Sequence, residues 1–99
     1  MFIQARKLSI ARGFSEAAVN KFKTSTLLPQ QPGFDSIETY VRSVNKESEE
    51  VLVLIKWGTK KDWQNWEKSD VHKAGHRIKK ERPEYILGME MSYYESFRQ

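Results

Sequence analysis

The chain contains no cysteine. That excludes thiol catalysis, iron–sulfur clusters, Cys-type zinc sites and disulfide stapling, and it suits a reducing compartment. Proline and glycine are sparse, at 3 and 5 of 99 residues, and the glycines are scattered, so there is no Gly-rich phosphate loop. No apolar run approaches the roughly 20 residues of a membrane helix. The opening Met1-Phe2-Ile3-Gln4-Ala5-Arg6 has too short an apolar stretch for a signal peptide. The expectation is a cytoplasmic protein without membrane insertion. There are only two histidines, so any imidazole chemistry rests on His72 or His76.

What is present is ordinary for a folded protein: 38% hydrophobic residues, 30% charged and 12% aromatic. The length of 99 residues allows one domain, expected to span residues 1–99. Such a domain buries a modest core and gains from a partner subunit. The net charge of +4 is mild. Its distribution is not even, because Lys73, Arg77, Lys79, Lys80 and Arg82 crowd one stretch in which Glu81 is the single acid.

Hydrophobic periodicity predicts a first strand over Met1–Ile10 and a helix opening at Ser15, with Ser15 as N-cap and Ala18, Val19 and Phe22 on one stripe. Thr24 to Gly33 reads as a loop. A second strand is expected over Phe34–Val44, then a polar hairpin loop over Asn45–Glu49. Val51 to Trp57 is apolar on both faces, which calls for cover on both. A helix layer covers one face; a second sheet from another subunit would cover the other. Thr59 is a good N-cap for a helix over Lys60–Lys68 carrying Trp63 and Trp66. Ser69-Asp70 reads as a break and a fresh cap for a short helix to about Lys80, ended by Pro83. Tyr85 to Phe97 is a last strand with Leu87, Met89, Met91 and Tyr93 alternating. The order β-α-β-β-α(α)-β predicts an α+β fold, the ferredoxin-like split βαβ with an antiparallel sheet.

His72 and His76 are four apart and share a helix face. At about 100° per residue, His76 lies nearly opposite the stripe of Val71, Ala74 and Ile78. It is either a solvated surface histidine or one lining a groove. A two-His metal site would need further ligands; Glu67 and Asp70 are nearby, but acids on helices are usually solvated. Trp63 is the natural core anchor, and Trp66, about 60° away, suits a pocket wall. The basic cluster suits a solvated face, a carboxylate or phosphate site, or nucleic acid. The aliphatic strand from Val51 to Trp57 lacks the stacked aromatics of RNA-binding ferredoxin-like domains, so no nucleic-acid partner is expected.

From Asn65-Trp66-Glu67-Lys68-Ser69-Asp70-Val71-His72-Lys73-Ala74-Gly75-His76 a specific pattern emerges: a Trp, then Lys-Ser-Asp, then Lys-Ala-small-His, ten residues from Trp66 to His76. This resembles the haem-degrading monooxygenases of the antibiotic-biosynthesis-monooxygenase superfamily, the IsdG and HmoA type, with the opening strand and the Trp-Glu-Lys-Ser-Asp stretch most similar to the HmoA branch. The likeness extends over Met1 to Lys7, Pro32-Gly33-Phe34, Glu49-Glu50-Val51, Ile55-Lys56-Trp57 and Pro83 to Leu87. It implies a homodimer forming an α+β barrel, two sheets face to face, with one haem per subunit between helices and sheet. It implies His76 as the axial iron ligand and Trp66 pressing on the porphyrin plane. It implies haem as both cofactor and substrate, O₂ as oxidant, electrons from a partner reductase, and release of iron with a linear tetrapyrrole. Lys73, Arg77 and Lys79 are candidates to pair with propionates, and Phe22 and Val53 to line the pocket. One position departs from the pattern. Much of the family carries an Asn on the first strand facing the distal ligand, and here Arg6 stands in that register, which leaves the distal chemistry and the product open. Alternatives are a haem-buffering protein without turnover and a cofactor-free monooxygenase acting on an aromatic or quinol substrate.

Overall fold

The computed structural model describes residues 1–23, 28–70, 72–73 and 82–97, without the side chains of residues 22 and 23. Strand β1 (Phe2–Ala11) leads to helix α1 (Ser15–Lys23), a 3-10 turn at Leu28–Gln30, and the hairpin of β2 (Phe34–Ser43) and β3 (Ser48–Trp57). Helix α2 (Lys60–Lys68) and strand β4 (Ile86–Glu95) follow. The four strands form one sheet in the order β2-β3-β1-β4, every neighbouring pair antiparallel. This is the ferredoxin-like arrangement expected from the element order. Among the described residues no helix is long and apolar enough to cross a membrane.

The two faces of the sheet differ because side chains alternate along each strand. On one face Phe2, Leu8 and Ile10 of β1 lie beside Val51, Val53, Ile55 and Trp57 of β3, all buried, and Ala18 of α1 joins them. Val19, Trp63 and Trp66 from the helices pack against this cluster. The opposite face carries Ile3, Ala5, Leu52 and Leu54 at its centre, with Tyr40 and Tyr94 half-exposed at the flanks. Its charges are matched across strands: Lys7 lies 4.0 Å from both Glu50 and Glu90, Arg42 2.9 Å from Glu50, and Lys56 contacts Glu38. Two hollows open on this side of the sheet, of about 320 Å³ beside Lys7, Glu50 and Glu90 and about 250 Å³ beside Ala5, Leu52 and Tyr94.

Several boundaries differ from those read in the sequence. Strand β3 begins at Ser48 rather than Val51, because Asn45 Oδ1 accepts from the backbone N–H groups of Glu47 and Ser48 and tightens the hairpin. Ser15 lies inside α1 rather than capping it: its hydroxyl donates to Glu49 Oε1 at 3.1 Å, and the same carboxylate accepts from the Gly13 N–H at 2.9 Å. The last strand starts at Ile86, since Tyr85 is held in a turn whose carbonyl accepts from Ala11 N–H at 2.8 Å.

Candidate functional site

Arg6 occupies the middle of β1, on the helix-covered face, between Val53 on β3 and Met91 on β4. Val53 is fully buried beside it. Arg6 is half-buried, and its Nε donates to Met91 Sδ at 3.3 Å. A thioether is a weak acceptor. Burial pulls the guanidinium below its ordinary pKa, and Tyr93 and Glu67 partly restore it. An arginine stays charged under such a shift. The consequence is a cation held where water screens it poorly, and anions are attracted more strongly there than at an open surface.

Helix α2 lies on the same side of the sheet as this cation, and its start is fixed firmly. Thr59 Oγ1 accepts from Asp62 N–H at 3.2 Å while Asp62 Oδ2 accepts from Thr59 N–H at 3.2 Å, the reciprocal pairing of a capping box. Gly33 packs against this cap with φ of +82°, and a Cβ there would come within 2.1 Å of Asp62 Cγ, so only glycine fits. Gly58 N–H then donates to Gly33 O at 2.8 Å, tying the start of α2 to the lead-in of β2.

With the helix so placed, its two indoles take different partners. Trp63 lies against Phe2 and Tyr93, both at 5.0 Å between ring centroids. Trp66 stacks over Trp57 at 6.4 Å and meets the His72 ring in a T-shaped contact at 4.9 Å. Ser69 ends the helix, its hydroxyl donating to Trp66 O at 2.7 Å and accepting from His72 N–H at 3.2 Å. The chain is helical again at Asp70, His72 and Lys73, as the Ser69-Asp70 break suggested.

Arg6, Val53 and Trp66 thus lie on the helix-covered side of the sheet. Lys73 is exposed in the helical stretch after Ser69. Phe22 belongs to α1 by its backbone, but its side chain lies outside the described residues, as do His76, Arg77 and Lys79 entirely. Glu67 departs from the expectation of a solvated acid: its Oε2 lies 3.1 Å from His72 Nε2. Among the described residues no group of three His, Cys, Asp or Glu gathers as a metal site. The Glu67–His72 pair and the places of Met91 and Tyr93 emerge only in the structure. The last two were signalled by their alternation along β4; the pair had no signal beyond a spacing of five residues.

The described residues define a ferredoxin-like α+β protein with an aromatic wall and a partly desolvated cation between its helices and its sheet. The model of the antibiotic biosynthesis monooxygenase family matches residues 1–78, and the chain belongs to that family. It is 34% identical over 96 residues to the haem-degrading monooxygenase HmoA of Bacillus subtilis, covering 95% of this chain and 89% of that one. A solved Bacillus cereus structure assigned to the antibiotic biosynthesis monooxygenases superposes with a TM-score of 0.82 at 28% identity, over 99% of this chain and 96% of the other. The haem-degrader MhuD of Mycobacterium tuberculosis, solved with two haems in its active site, shares the fold at a TM-score of 0.74 and 18% identity, over 100% and 98% of the chains.

Proposed function

We propose that this protein is a haem-degrading monooxygenase, acting as one domain over residues 1–99. It takes haem as substrate and cofactor, with O₂ and electrons from a partner reductase, and releases iron and a linear tetrapyrrole. The observation that carries the reading is that a partly buried cation, Arg6, and the indole of Trp66 lie on the same, helix-covered face of the sheet. Haem is a flat apolar ring with anionic carboxylates. A face offering indole and thioether surfaces around a partly desolvated guanidinium suits both halves of such a molecule. The relationship to HmoA, over nearly the whole of both chains, points the same way.

In this reading the chain's own residues bind, orient and shield. Trp66 sets a broad rigid face against the ring plane, and Trp57, buried behind it, keeps the indole from retreating. Arg6, where much of the family has Asn, would offer a donor-only group to bound O₂ or to a carboxylate of the ligand. Met91 and Tyr93 of β4 extend the apolar surround. His76 would hold the iron of bound haem, Phe22 would line the pocket with Val53 packed in the core behind it, and Lys73 and Arg77 would pair with the propionates. Bound haem supplies redox-active iron and the bridging carbon that is oxidised.

The assembly in this reading is a homodimeric α+β barrel closed through the helix-free face. Leu52, Leu54, Ile3 and Ala5 form an apolar centre there, and the charges around it are matched by Glu50, Glu90 and Glu38. The cysteine-free composition accords with the cytoplasm.

The test is to add haem to the purified protein, supply ascorbate in air with catalase present, and follow the visible spectrum. The reading expects a Soret band that forms and then decays, with iron released to a chelator, and loss of both in His76→Ala. A Soret band that persists with every donor would leave a haem-binding protein. Absence of the band would overturn the haem reading in favour of cofactor-free oxygenation.

A further inference from the structure

Trp66 is gripped from two sides. Trp57, at the end of β3, supports one side with rings inclined by 28°. The other contact comes from His72, whose ring meets the indole in a T-shaped arrangement at 66°. His72 lies beyond the Ser69 break, so the periodicity of α2 alone does not set its distance from Trp66. Ser69 ties the backbone of His72 to Trp66, its hydroxyl bridging His72 N–H and Trp66 O, and the imidazole itself is held by the link from His72 Nε2 to Glu67 Oε2 at 3.1 Å, Glu67 being the chain neighbour of Trp66. The pair is largely shielded, with side-chain exposures of 17% for His72 and 35% for Glu67. Glu67 also feels Arg6 across the site. A carboxylate, an imidazole and an indole are therefore linked at the edge of the proposed haem face, and edge-to-face ring contacts are directional.

We propose that His72 and Glu67 are a positioning pair for Trp66. The imidazole, locked by the carboxylate, sets the tilt at which the indole meets its ligand. The inference rests on the haem-degrading reading and deepens it. Neither residue touches the substrate; both act through Trp66. The loss of either frees the indole to sample other tilts. Ring opening suffers because it depends on that orientation, whereas haem affinity, shared among many contacts, changes little.

The experiment uses His72→Ala, Glu67→Ala, the double variant and Glu67→Gln, whose amide oxygen still accepts from the imidazole N–H. In the haem-free protein, the indole N–H resonance of Trp66, assigned with Trp66→Phe, reports on the indole directly. It is expected to shift or broaden in both alanine variants and to stay close to the parent in Glu67→Gln. With haem bound, the alanine variants are expected to open the ring about tenfold more slowly, with haem Kd within about threefold of the parent. Their double variant should be no slower than either single, as expected for residues acting as a unit, and Glu67→Gln should retain at least half the rate. An unchanged Trp66 resonance in His72→Ala would overturn the proposal. So would additive rate losses, or a Glu67→Gln variant as slow as Glu67→Ala. Should the parent take up no haem, the functional reading fails by itself, while the resonance still tells whether the pair holds the indole.

Discussion

The two faces of this sheet are built from the same four strands and solve opposite problems. On the helix-covered face, β1 and β3 contribute a continuous buried cluster, and Arg6 is set among it with a thioether as its close neighbour and Glu67 and Tyr93 in its field. On the other face Lys7, Arg42 and Lys56 each lie beside a carboxylate of a neighbouring strand, around an aliphatic centre that no helix among the described residues covers. Matched charge around an apolar patch suits a surface that meets another copy of itself. A cation held in a poorly screened place suits a surface that meets an anionic ligand. Adjacent residues such as Val53 and Leu54 belong to these different surfaces simply because side chains alternate.

The contrast can be broken or sharpened by substitution. The largest effect is expected at Ile10, fully buried under α1, where Ile10→Ala should cost about 2–5 kcal/mol in urea unfolding. Next comes Leu54→Glu, which places an extra carboxylate at the centre of the helix-free face. Sedimentation should show a dimer in the parent and a monomer in the variant, with the covered face still folded by circular dichroism. Arg6→Met should separate binding from stability. Removing a desolvated charge leaves the melting temperature unchanged or raised, whereas haem affinity, read by titration, falls about tenfold.

The smallest effect concerns acid. Glu38, Glu49 and Glu50 all have pKa values below the usual carboxylate range: Glu38 first through Lys56, Glu49 first through the Gly13 N–H, and Glu50 first through Arg42. A lowered carboxylate contributes stability above its unfolded pKa of about 4.3 and loses it as pH falls through the folded value. Glu49→Gln should therefore lower the melting temperature slightly at neutral pH, and shrink the drop measured between about pH 5 and pH 3.

Much of this architecture was legible in the residues. Thr59 announced α2, and the observed Lys60–Lys68 matches the expected span because a capping box is a local pattern. The doubly apolar β3 was equally clear. Ser48 and Glu49 were not, since this polar stretch reads as loop; they are in the sheet because Ala11 and Ile10 of β1 pair with them. Ser15 read as a cap and instead donates to Glu49, a partner far along the chain.

The site divides the same way. Trp66 stood out by its place in a motif, and Arg6 by its register on the first strand. That Trp66 rests on Trp57, that Glu67 holds His72, and that Met91 lies against Arg6 depended on how β1, β3, α2 and β4 come together. Sequence alone determined the elements, their order and which residues each must bury, because propensity, capping and periodicity act over a few residues. Only the tertiary structure decided which cation is desolvated and which rings touch, because those outcomes depend on strands distant in sequence meeting side by side.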